Sequence, residues 1–72
     1  MEIDEIIKFI RKELGLSQEM LARDLNVSFA TLNRWEKGHT TPSRLAMTKI
    51  KEYATKNIES EEVKNALSRY RT

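Results

Sequence analysis

With 72 residues the chain has room for one domain, expected to span 1–72, and its 39% hydrophobic content suits a small helical core rather than a deep catalytic cleft. It has no cysteine, which excludes disulfides and thiolate metal sites, and a single histidine, His39, which supports no histidine metal site. The net charge is +2, but residues 1–36 carry five basic and seven acidic groups (−2) while residues 37–72 carry eight and four (+4), an asymmetry that suits a nucleic-acid backbone or an ordinary solvated surface.

The start, Met-Glu-Ile-Asp, has no basic leader, and no apolar run approaches the ~18 residues of a membrane span, so a cytoplasmic chain is expected. A first helix is predicted over Asp4 to Leu14. Ile6, Ile7, Ile10 and Leu14 recur at helical spacing, Lys8, Arg11, Lys12 and Glu13 take the wet side, and Phe9 suits either. Asp4 is its expected N-cap and Gly15 its stop.

Ser17 and Ser28, eleven residues apart, each precede an apolar-periodic run, and a serine in that place caps a helix start. Leu21, Ala22 and Leu25 share one face of the first run, Leu32 and Trp35 one face of the second, so both bury against a common core. Trp35 is read as core. Asn26 sits where the chain must turn, in a conformation that asparagine tolerates better than any residue but glycine, and Gly38 ends the second helix. The stretch 17–38 is therefore a helix-turn-helix, its second helix at about 28–37.

After the loop His39-Thr40-Thr41, Thr41 is the expected cap of a fourth helix with Pro42 at its first position. Leu45, Ala46, Ile50, Tyr53 and Ala54 form its apolar face, Lys49 and Lys51 stay wet, and Asn57 ends it. Ser60 caps a last helix at about 60–70, with Glu61 and Glu62 in the first turn and Val63, Ala66, Leu67 and Tyr70 as its stripe. The acidic cluster from Glu59 to Glu62 is read as helix-start chemistry. No repeat or low-complexity tract is visible.

Leu16-Ser17-Gln18, Leu21-Ala22, Leu25-Asn26-Val27-Ser28, Thr31-Leu32, Arg34-Trp35-Glu36 and Gly38, with Pro42 downstream, resemble the Cro/repressor-type (XRE) helix-turn-helix family over roughly Ile6 to Tyr53. The one clear departure is Asn26, where the family usually has glycine. The resemblance implies an all-α, five-helix, lambda-repressor-like DNA-binding domain. It also implies that Arg11 and Glu36 meet in an ion pair joining the first helix to the recognition helix, and that Gln18 touches the DNA backbone and braces the start of the recognition helix.

A helix in the major groove reads bases with side chains near its N-terminus while flanking groups hold phosphates. Burying Leu32 and Trp35 leaves Phe29, Ala30, Asn33 and Arg34 as readout candidates. Arg34 suits guanine O6 and N7, or a phosphate; Asn33 suits adenine N6 and N7; Phe29 suits a thymine methyl, or a hydrophobic staple. Gln18, Ser28, Thr31, Lys37, His39, Thr40 and Arg44 form the candidate backbone set, His39 serving equally as an exposed loop residue.

The chain lacks the convergent reactive groups of an enzyme and any glycine-rich phosphate loop, and no cofactor or metal is expected. A domain of this size buries only about 60% of its unfolded surface, which favours pairing. The expected function is a sequence-specific transcriptional regulator, a repressor by preference, acting on double-stranded DNA as a homodimer through Leu67 and Tyr70. A protein-binding module on the same fold, such as an antitoxin or adaptor, is the alternative.

Overall fold

The computed structural model describes residues 1–70. Five α-helices follow in order, α1 (Ile3–Glu13), α2 (Gln18–Leu25), α3 (Phe29–Glu36), α4 (Arg44–Asn57) and α5 (Glu61–Ser68), with no strand among the described residues. The fold is all-α with the expected five helices. α3 packs against α1 and α2, and α2 against α4, which in turn holds α5. The helix-turn-helix thus lies in the middle of the contact chain, its second helix braced from two sides.

Four serines start four helices. The hydroxyls of Ser17, Ser28, Ser43 and Ser60 accept the backbone N–H of Met20, Thr31, Ala46 and Val63 at 3.1, 3.0, 3.2 and 3.3 Å, each cap contributing about 1 kcal/mol. Two starts differ from expectation. The fourth helix is capped by Ser43 rather than Thr41, because serine is the stronger cap, and Pro42 stands before the cap instead of inside the helix. The first helix begins at Ile3, not after Asp4: the Glu2 N–H donates to Glu5 Oε1 at 2.9 Å, closing the turn early. Ile3 is thereby drawn into the core.

The first three helices end alike. Gly15, Asn26 and Gly38 have φ of 66°, 60° and 76°, and the next residue's N–H bonds back five residues, Leu16 to Arg11 O, Val27 to Ala22 O and His39 to Arg34 O, at 2.9, 2.9 and 3.0 Å. Asn26 adopts the left-handed conformation that the turn requires, so it fills the place of a glycine without changing the turn. α4 ends at Asn57 by another device. Ile58 is extended (φ −117°) and buried, turning the chain toward α5.

One core joins all five helices, with Ile6, Ile7, Ile10, Leu21, Leu32, Ile50 and Val63 as its largest fully buried members. On α4 the buried stripe is Met47, Ile50 and Ala54, while Leu45 is 69% exposed and Ala46 and Tyr53 are half-buried. Leu45 precedes Met47 by two positions, which puts it on the opposite side of the helix. Tyr53 instead ties α4 to α2, its hydroxyl donating to Asp24 Oδ2 at 2.8 Å. Leu67 is only 3% exposed, inside the chain's own core. Its side chain is therefore not offered to a second copy, and the expectation that it forms a dimer interface is corrected; Tyr70 is half-buried. No helix among the described residues is long and apolar enough to cross a membrane.

Candidate nucleic-acid interface

α3 has two unlike sides. Leu32, Trp35 and Glu36 are buried, at 0, 5 and 5% exposure, whereas Phe29 is 52% exposed and Ala30 and Arg34 are open to solvent. Asn33 is half-buried at the boundary. Of the four readout candidates, three stand clear and the fourth borders the packed side. Phe29 is not the staple weighed as its alternative: a staple joins the residue before the cap to the fourth helical one, here Val27 and Leu32, and Phe29 is the first residue of α3. Trp35 lies in the core as expected.

The side of α3 that faces inward is polar at one point. Glu36 accepts from Arg11 Nε at 2.8 Å on Oε2 and from Arg11 Nη2 at 3.0 Å on Oε1, a two-pronged pair that joins α1 to α3 as the family resemblance implies. The hydrogen bond to Glu36 raises the pKa of the Arg11 guanidinium above its ordinary value, against the opposing effect of burial. Arg11 also reaches the Leu16 carbonyl with Nη1 at 3.4 Å, fixing the entry to α2.

Gln18, the first residue of α2, completes the cluster. Its Nε2 donates to Glu36 Oε1 at 3.0 Å and to Asn33 Oδ1 at 3.3 Å. A primary amide has two N–H donors, and both are consumed here. The side chain of Gln18 is thus a brace between α2 and α3. The groups at this position that remain free to meet an anion are backbone amides in the first turn of α2, since Ser17 takes only the amide of Met20. Sequence spacing hides most of this cluster, because the fold brings Arg11 and Gln18 to Glu36, and Gln18 to Asn33. The one local signal is Asn33 and Glu36, three apart and so on adjoining surfaces of one helix.

The other backbone candidates are spread around α3. The Ser28 hydroxyl accepts the Thr31 N–H and donates to Thr31 Oγ1 at 2.9 Å, which leaves the hydroxyl proton of Thr31 and the backbone N–H groups of Phe29 and Ala30 as donors at that end. Lys37, His39 and Thr40 are exposed beyond the C-terminal end of α3. Arg44 is exposed at the start of α4 and lines a hollow with Ile3, Thr41, Pro42, Met47 and Tyr70. A second, open hollow brings Phe29 and Gln18 together with Arg11, Ser17 and Glu19 between the starts of α2 and α3. Among the described residues no group of His, Cys, Asp or Glu is arranged to hold a metal ion.

This arrangement, two short helices joined by a left-handed residue with the second exposing its N-terminal side, defines a helix-turn-helix protein. The chain belongs to the helix-turn-helix family of the XRE type, a DNA-binding family, which it matches over residues 7–53. It is similar to the protein named Antitoxin HigA-2 of Vibrio cholerae serotype O1 (strain ATCC 39315 / El Tor Inaba N16961), with 40% identity over 48 residues, 67% of this chain and 45% of that protein. The chain therefore spans less than half the length of this curated relative. No solved structure matches it at comparable strength.

Proposed function

We propose that this chain, read as a single domain over 1–72, is a cytoplasmic, sequence-specific DNA-binding regulator. It acts as a repressor that inserts α3 into the major groove. Phe29, Ala30, Asn33 and Arg34 read bases; Ser28, Thr31, Lys37, His39, Thr40, Arg44 and the backbone amides at Gln18 hold phosphates. The observation that carries this reading is the sidedness of α3: Phe29 is 52% exposed, with Ala30 and Arg34 open beside it, while the helix is anchored by Leu32, Trp35 and Glu36. A large aromatic ring standing in water has an apolar partner in the thymine methyl group.

A domain this small gains affinity and reach by pairing, so it binds as a homodimer with two α3 helices about 34 Å apart on one side of the duplex. Tyr70 remains a candidate for that contact. Selection from random duplexes followed by a salt titration tests the reading: an inverted repeat with affinity falling steeply as salt rises is expected. Failure to enrich any sequence refutes it.

The name of the similar protein, an antitoxin, favours a second reading in which the regulator also holds a protein toxin. Co-expression with candidate protein toxins, and recovery of a stable complex, distinguishes a two-partner protein from one that binds DNA alone.

A further inference from the structure

The polarity of the buried cluster reaches the surface at one residue. A carboxylate only accepts, so the part of Gln18 that meets Glu36 Oε1 at 3.0 Å must be its N–H2 group. The second hydrogen of that nitrogen goes to Asn33, so the part of Asn33 that meets it at 3.3 Å must be the carbonyl Oδ1. Turning the Asn33 amide over would set one N–H2 against another. The direction of every hydrogen bond is therefore dictated by the charge on Glu36, itself pinned by Arg11. Asn33 Nδ2 is left without a hydrogen bond to any described residue, and it is not buried.

We infer that Asn33 reads its base pair as a donor only. It selects a base-edge acceptor, purine N7, guanine O6 or thymine O4, and does not take the amino group of adenine or cytosine. The pairing with adenine N6 and N7 together, available to a free asparagine, requires a carbonyl turned toward the base, and here Oδ1 is turned toward Gln18. Gln18 is the positioning residue. The inference rests on the proposal that α3 enters the major groove.

The test uses the full chain and the duplex that it selects. Base edges are deleted one at a time: 7-deazapurines remove N7, 2-aminopurine removes guanine O6, 5-methyl-2-pyrimidinone removes thymine O4, purine removes adenine N6 and 2-pyrimidinone removes cytosine N4. Asn33→Ala is expected to weaken binding to the intact site by about five- to tenfold, the effect of one hydrogen bond. That loss should vanish on a duplex lacking one acceptor and persist on every duplex lacking a donor. Its disappearance on a donor-deleted duplex, or on none, overturns the inference while leaving the major-groove reading in place. If the wild-type chain selects no duplex, both fall.

Gln18→Leu supplies an independent readout, because it frees Asn33 to present either end of its amide. Discrimination between acceptor and donor at that base pair should drop to within about twofold, with preferences elsewhere in the site retained. A uniform loss across all positions would instead mark Gln18 as purely structural and overturn the inference.

Discussion

Glu36 and Arg11, twenty-five positions apart, are joined by two hydrogen bonds of 2.8 and 3.0 Å, and the carboxylate is buried to 4% side-chain exposure while the guanidinium keeps 21%. The pair is asymmetric. The acid has no access to water as a substitute partner, whereas the base does.

Removing one partner should therefore cost more than removing both. Arg11→Met leaves the buried carboxylate with Gln18 alone and is expected to destabilise the fold by about 2–4 kcal/mol. Arg11→Met combined with Glu36→Leu should cost clearly less than the sum of the two single changes. Urea unfolding of the four proteins checks this, and simple additivity would show that the two groups do not act as a pair.

At the turn, Asn26 holds φ of 60°. Asn26→Gly should leave the melting temperature nearly unchanged or slightly raised, while Asn26→Ala should cost about 1 kcal/mol because a Cβ without a polar end crowds the left-handed conformation. Equal melting of both variants would show that the turn has another way to close.

Phe29 is half in water, so Phe29→Ala should alter stability by no more than about 0.5 kcal/mol. On the proposed function, Phe29→Ala and Arg34→Ala weaken binding to the selected duplex more than to random DNA, and Lys37→Ala weakens both alike. Competition titrations with the two duplexes separate these outcomes.

Leu67→Asp should unfold the chain, since it places a carboxylate in a site of 3% exposure that has no partner for it. Circular dichroism should report loss of helix. A folded variant with a smaller mass by light scattering would restore Leu67 as an intermolecular contact.

Tyr53 gives a pH signature. Burial first, and then its hydrogen bond to Asp24, push its pKa from 10.0 up to about 12. The folded state thus favours the protonated phenol. Its contribution is fully present below the unfolded value of 10.0 and is lost as pH rises toward about 12. The melting temperatures of wild type and Tyr53→Phe should differ by a constant amount up to about pH 9 and converge above pH 10. A constant difference across the whole range would show that the phenol is not linked to folding.

Much of the fold is written locally. Serines before periodic runs, and glycine or asparagine after them, set most helix limits within a residue or two, because caps and left-handed stops act over one turn. Where two caps competed, Thr41 against Ser43, and where a carboxylate at Glu5 reached back to Glu2, the local signals were ambiguous and the boundary moved. Leu45, Met47 and Leu67 show the other limit. Which apolar residue of a helix is buried depends on what packs across from it, and that partner comes from elsewhere in the chain. At the interface the open side of α3 followed from its periodicity, but the use of both Gln18 donors inside the protein did not, since it requires α2 and α3 to be docked.

The two sides of α3 carry different kinds of risk for a mutating chain. Phe29, Ala30 and Arg34 lie outside the core, so changes there cost the fold little and leave α3 free to acquire a new target by a few substitutions. Asn33 is not free in the same way. Because it shares a hydrogen bond with the brace that aligns α2 on α3, a change of base at its position is tied to the alignment of the helix itself. Descendants of this chain would diverge in target most easily at the three open positions and most slowly at the fourth.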